Sequence, residues 1–171
     1  MVTTDMIKDL REKTGAGIMD CKRALQQTDG DLEGAAEILF QQGYQKAEKK
    51  AGREAREGLM EVYIHTGGRI GALVEVNCES DFVTRTDDFK SLAHDIAMQV
   101  AATDPRYVCV EDMPQGGDSD DELDPVEVCL LSQPFIKDPQ KTIQDTIIET
   151  VARVRENIKV RRFARFELGK D

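Results

Sequence analysis

No run in this chain approaches the roughly 20 apolar residues that a helix needs to cross a bilayer, so no membrane span is expected. The opening Met1-Val2-Thr3-Thr4-Asp5 lacks the basic stretch and apolar core of an export signal, and a cytoplasmic protein is expected. Cysteine is sparse. Cys21, Cys78, Cys109 and Cys129 lie far apart, with no C-x-x-C spacing and no grouping with His65 or His94. That distribution fits reduced thiols and argues against a structural zinc site. The signatures of cofactor and catalytic chemistry are missing too. There is no phosphate-binding loop, no G-x-G-x-x-G, no G-x-S-x-G and no H-E-x-x-H. Neither histidine has a nucleophile near it in sequence, so no cofactor, no metal and no covalent catalysis are expected. Positive charge is also in deficit. A net charge of -10 argues against duplex nucleic acid as the main partner, because phosphate binding needs a basic surface.

What the chain does have is 171 residues, 40% of them hydrophobic, enough for a small module plus a larger domain with its own core. Residues 1–44 read as three short helices. Thr4 is placed to cap the first, whose apolar face is Met6, Ile7 and Leu10, and Gly15 stands where a left-handed stop belongs. The second spans about Ile18 to Gln27, with Cys21, Ala24 and Leu25 on one stripe. Asp31 caps the third, where Leu32, Ala35, Ala36 and Leu39 keep helical spacing up to an expected stop at Gly43. Residues 45–57, with Lys46, Lys49, Lys50, Arg53 and Arg56 among alanines and glutamates, read as a charged linker or solvated helix.

From there the period changes to two. Met60, Val62 and Ile64 alternate with Glu61 and Tyr63, Thr66-Gly67-Gly68-Arg69 signals a turn, and Ala72, Val74, Val76 and Cys78 alternate again. That is a β-hairpin. A helix from about Asp87 to Ala102 follows, with Phe89, Leu92, Ala93, Ile96 and Val100 as its core stripe and Pro105 beyond its end. Tyr107 to Val110 reads as a short edge strand, Glu111 to Asp124 as an acidic loop, and Pro125 to Leu131 as a brief helix. Pro134 to Pro139 is an extended crossing, and Thr142 with Asp145 forms a capping box for a helix carrying Ile147, Val151 and Val154. The last strand is expected to turn Ile158, Val160, Ala164, Phe166 and Leu168 to one side. Lys159, Arg161, Arg165 and Glu167 then face the other, with Arg162 interrupting the apolar face. The fold class is α+β: a helical N-terminal module, a charged linker, and a core over 58–171 of antiparallel strands with helices.

One segment asks for more than packing. Ser80-Asp81-Phe82-Val83 lies between a strand and a helix and reads as a loop in which a carboxylate and a large aromatic stand together. Either Asp81 caps a turn while Phe82 folds into the core, or both project to meet something else.

Around these residues the sequence resembles a known family. Thr14-Gly15-Ala16-Gly17-Ile18-Met19-Asp20-Cys21-Lys22 and Glu75-Val76-Asn77-Cys78-Glu79-Ser80-Asp81-Phe82-Val83 are similar to the two signatures of elongation factor Ts. Lys46 to Gly52 resembles the basic linker between them, and Glu156 to Phe163 the last strand, so the likeness runs end to end. It implies a three-helix module of ubiquitin-associated type (UBA-like), a core typical of the family, and guanine-nucleotide exchange on elongation factor Tu. It implies that Asp81 and Phe82 intrude near that partner's magnesium site, within Ser80 to Val83, where Ser80 replaces the family's usual threonine but keeps the hydroxyl. It also implies that Ile18 and Met19 grip the partner's GTPase domain. The span from Val110 to Phe135 leaves no room for both the second subdomain and the coiled coil of longer members. The chain is therefore similar to short forms that pair as homodimers, here through the outward polar face and edge of the last strand. Two other classes stay in view: an adaptor that binds proteins through the three-helix module alone, and a thiol enzyme built on Cys78.

Overall fold

The computed structural model describes residues 2–114 and 123–170. Most of the expected acidic loop, residues 115–122, lies outside the described residues. The chain divides into two compact units, one comprising the chain to Arg53 together with Ile148–Asn157, the other Glu54–Ile147 together with the chain from Ile158.

In the first unit, α1 (Thr4–Thr14) is capped by Thr3 rather than Thr4. The Thr3 hydroxyl accepts from the Met6 backbone N–H at 3.3 Å, and Thr3 itself is extended, which leaves Thr4 as the first helical residue. The helix ends as expected at Gly15, in the left-handed region at φ 67°, with its N–H donating to the Arg11 carbonyl. Helix α2 (Ile18–Gln27) has the expected bounds. The Asp31 carboxylate accepts from the Glu33 and Gly34 N–H groups at 3.1 and 3.2 Å to start α3. That helix does not stop at Gly43 but runs from Leu32 to Lys50. An interior glycine costs a helix only about 1 kcal/mol. A Cβ on Gly43 would sit 3.7 Å from Ile148 Cγ2 and 3.8 Å from Ala152 Cβ, ordinary contact distances, so the position is packed but would also take a small side chain. The helix continues through Gly43 because it packs there against the segment of α7 (Ile143–Val154) that belongs to this unit. Leu10, Cys21, Ala24, Leu25, Ala35 and Leu39 form the buried cluster. Asn157 closes the unit by donating from Nδ2 to the Arg53 carbonyl at 2.7 Å.

Gly15 is doubly constrained. Its φ is positive, and a Cβ would overlap the Arg153 side chain, with Cδ 2.8 Å away. Gly15→Ala is expected to lower stability by about 1 to 2 kcal/mol, a melting shift of a few degrees in a calorimetric scan. An unchanged melting point would mean that the turn relaxes freely.

In the second unit, β1 (Glu57–Ile64) and β2 (Ile70–Cys78) form the expected hairpin, and β5 (Lys159–Glu167) pairs antiparallel with the other edge of β2. Helix α5 (Asp87–Thr103) lies across β1 and β2 and buries Phe89, Leu92, Ala93, Ile96 and Val100, as its stripe predicts. Thr86 caps it, and Asp104 ends it in the left-handed region at φ 50°, one residue before Pro105. Tyr107 makes only a single parallel bridge, to Cys129, before a 3-10 turn at Val110–Asp112, so there is no edge strand here. The brief helix splits into α6 (Pro125–Val128) and a 3-10 turn, Leu130–Ser132. Pro134–Phe135 (β3) and Asp138–Thr142 (β4) make a small second sheet. The fully buried Gln99 fixes this crossing. Its Oε1 accepts from the Ile136 N–H at 2.9 Å, and its Nε2 donates to the Pro134 carbonyl at 3.1 Å. The Thr142–Asp145 capping box is present in both directions, at 2.8 and 3.1 Å.

The terminal strand departs from its expected pattern. Val76 pairs with Val160 but Glu75 pairs with Arg162, so Arg161 is an extra residue in a β-bulge. The bulge reverses the alternation of everything after it. Phe163 and Arg165 turn toward α5, opposite Val74 and Ala72. Arg165, with only 11% of its side chain exposed, donates from Nε to the Ala101 carbonyl at 3.0 Å and pairs with Glu167 at 3.0 Å. A cation is well placed there, at the carbonyl end of α5. Ala164, Phe166 and Leu168 are correspondingly not on the face of Ile158 and Val160, and Phe166 is 72% exposed.

Candidate partner-binding site

The segment read as a loop is one turn of helix, α4 (Asp81–Thr84). Local hydrogen bonds hold it on every side. The Cys78 thiol donates to the Ser80 carbonyl at 3.1 Å, and the Thr84 hydroxyl donates to the Asp81 carbonyl at 2.6 Å. The Thr86 hydroxyl donates to the Val83 carbonyl at 2.7 Å and also accepts the Phe89 N–H that starts α5. Val83 and Thr84 are buried and anchor the turn. Phe82 is not folded into the core: it is 75% exposed. A large aromatic held out on a fixed backbone is a preformed contact. Asp81 lies beside it, its Oδ2 accepting from Arg85 Nη2 at 2.7 Å. Sequence reading missed Arg85, although the Asp81–Arg85 spacing is the i, i+4 of a helical pair once the turn is known to be helical.

Ile18 and Met19 open α2, just after the extended Gly17, and are 55% and 62% exposed. They sit on the first unit, whereas Ser80, Asp81, Phe82 and Val83 sit on the second. Asp20, next in line, is salt-bridged to Arg23 and lies 3.4 Å from Lys46 Nζ. Burial opposes its ionisation, but those two cations outweigh burial and hold the carboxyl below its ordinary value. The Lys46 pair ties the start of α2 to α3.

The thiols are poorly placed for chemistry. Cys78 is fully buried and spends its S–H on the turn. Burial and the neighbouring Glu111 and Asp112 push Cys109 up to about 12, and burial raises Cys21 and Cys129 as well. A nucleophile needs the opposite environment. The histidines have ordinary surface partners, His94 with Glu61 at 3.3 Å and His65 with the Tyr63 hydroxyl at 3.2 Å. Among the described residues no three His, Cys, Asp or Glu side chains gather as a metal site, and no helix is long and apolar enough to cross a membrane.

The open face of the three-stranded sheet is a second feature. The same alternation that aims Val74 and Val76 at α5 aims Met60, Val62, Ile64 and Leu73 away from it. The bulge adds Phe166, and Leu168 just past the strand is exposed as well. Around Val62, Leu73 and Phe166 this face is apolar, with the Glu75–Arg162 ion pair at 2.7 Å beyond that patch, whereas the unbroken alternation of β5 implied a polar one.

The sequence matches the family model described as Elongation factor TS over residues 45–118 and 125–170. It is 52% identical to the elongation factor Ts of Carboxydothermus hydrogenoformans, the match covering 99% of this chain and 90% of that protein. The corresponding protein of Heliobacterium modesticaldum is 51% identical, with 99% and 91% covered. That of Thermoanaerobacter sp. is 47% identical, with 99% and 96% covered. This chain belongs to the elongation factor Ts family. Membership places it among the translation elongation factors. The alignment with the Carboxydothermus factor spans 195 positions, more than the 171 residues here, so that elongation factor Ts carries residues without a counterpart in this one.

Proposed function

We propose that this elongation factor Ts is a cytoplasmic guanine-nucleotide exchange factor that releases GDP from elongation factor Tu without chemistry of its own. The observation that carries the reading is Phe82, 75% exposed on a turn whose neighbours Val83 and Thr84 are buried. GDP is held largely through its phosphates and magnesium. An exchange factor binds the nucleotide-free GTPase better than the GDP form, and by linkage GDP then binds the complex more weakly by the same ratio. Phe82 pushed between elements of the partner that position magnesium supplies such a difference, and Asp81 acts on the magnesium ligands through the local field of its carboxylate, which a paired cation leaves in place at contact distance. Ile18 and Met19 add an apolar grip from the three-helix module.

The test is stopped-flow release of a fluorescent GDP analogue from elongation factor Tu. Addition of this protein is expected to accelerate release. No acceleration, with binding retained by residues 1–57 alone, would leave the adaptor reading in its place.

The apolar sheet face supports a homodimer as the working unit. A two-fold axis laid over Val62 and Leu73 would bring each copy's Ile64, Phe166 and Leu168 against its mate, a self-complementary apolar contact. The pairing uses the sheet face rather than the polar face and edge first expected. Phe166→Asp, at an exposed position, is expected to convert a dimer to a monomer in sedimentation velocity without lowering secondary structure. A wild type that sediments as a monomer at tens of micromolar would end this proposal.

A further inference from the structure

We infer that Arg85 is a positioning residue, which presents the Asp81 carboxylate to the partner as a neutral pair. The inference rests on the exchange reading above and goes beyond it, because neither Asp81 nor Phe82 needs Arg85 in order to be exposed.

Asp81 opens the α4 turn and Arg85 closes it, so the two side chains meet across one helical turn at 2.7 Å. Both stand in water in the free protein, Arg85 at 73% and Asp81 at 49% exposure. An exposed pair of this kind adds little to stability. Folding therefore gives no reason for it. Docking does. Asp81 and Phe82 are adjacent in the turn, and the exchange reading sets both against the partner, so docking removes water from Asp81 as well as from Phe82. A carboxylate stripped of water without a partner is strongly unfavourable, whereas one already bound to a guanidinium enters with its charge balanced. The backbone supports this delivery, since the Arg85 N–H donates to the Phe82 carbonyl at 3.3 Å and Thr84 and Thr86 fix the carbonyls on either side. Arg85 thus acts through Asp81 and not by a separate contact.

The test is a double-mutant cycle read as affinity for nucleotide-free elongation factor Tu by titration calorimetry, with GDP release measured alongside. Arg85→Ala is expected to weaken binding about tenfold or more, and Arg85→Lys, which keeps the charge, to stay within about threefold of wild type. In an Asp81→Asn background, where no charge needs balancing, Arg85→Ala is expected to change affinity less than about twofold. Melting temperatures of all variants should coincide. Unchanged binding by Arg85→Ala would overturn the inference, as would an equal loss in both backgrounds, which would make Arg85 an independent contact. A wild type that neither binds nor releases GDP would instead remove the exchange reading itself, a result distinct from both.

Discussion

Phe82→Ala is expected to slow GDP release from elongation factor Tu by between ten- and a hundredfold while leaving the melting temperature of the free protein unchanged within about a degree. The magnitude follows from area. Phe82 keeps 75% of its surface in water before docking, so a cleft that closes around it gains nearly the whole burial of the side chain. That is worth about 1.5 to 3 kcal/mol, or about one to two powers of ten in affinity. Only the part of that energy realised in the nucleotide-free complex speeds release, so the loss belongs in the release rate rather than in the initial encounter. The fold should not notice, because the turn is held by Cys78, Val83, Thr84 and Thr86 and not by the ring. Phe82→Leu, which keeps most of the apolar volume, is expected to fall between wild type and alanine. A melting point lowered by several degrees with release intact would place the ring in a structural role and end the wedge mechanism.

Much of this was legible from residues alone. The three N-terminal helices, the hairpin, α5 with its stripe and the Thr142–Asp145 box follow from short-range rules of capping, periodicity and turn chemistry, which tertiary contacts here reinforce. Two departures have one physical origin: a distant partner decided a local choice. Gly43 looks like a stop until Ile148 and Ala152 are seen packed against the helix there. The alternation of β5 looks continuous until Arg161 is excluded from the ladder, and a bulge leaves no mark in a hydropathy pattern. At the candidate site, the signature segments point to Asp81 and Phe82, and only coordinates distinguish a ring in the core from a ring in water. Arg85 was missed because a segment read as a loop has no i, i+4 neighbours.

Phe89→Ala is expected to do the reverse of Phe82→Ala. Phe89 lies in the first turn of α5 and is fully buried. Truncating such a ring leaves a cavity as well as losing its transfer energy, a cost of about 3 to 5 kcal/mol. At roughly 2 to 4 °C per kcal/mol for a protein of this size, the melting temperature should fall by about 10 °C, with the urea midpoint falling in parallel. GDP release at low temperature, where the variant is still folded, should lose far less than it does in Phe82→Ala. It should then fail early on warming, because Thr86 links the start of α5 to the Val83 carbonyl and loosening one loosens the platform under Phe82. The two phenylalanines are seven residues apart, one on each side of that threonine. If Phe89→Ala melted like wild type, the cavity would have collapsed at no cost, and the burial of α5 would not be what holds this unit together. If it instead abolished release at temperatures where circular dichroism shows it folded, the platform would be the more sensitive element, with presentation of Phe82 depending on the packing beneath it.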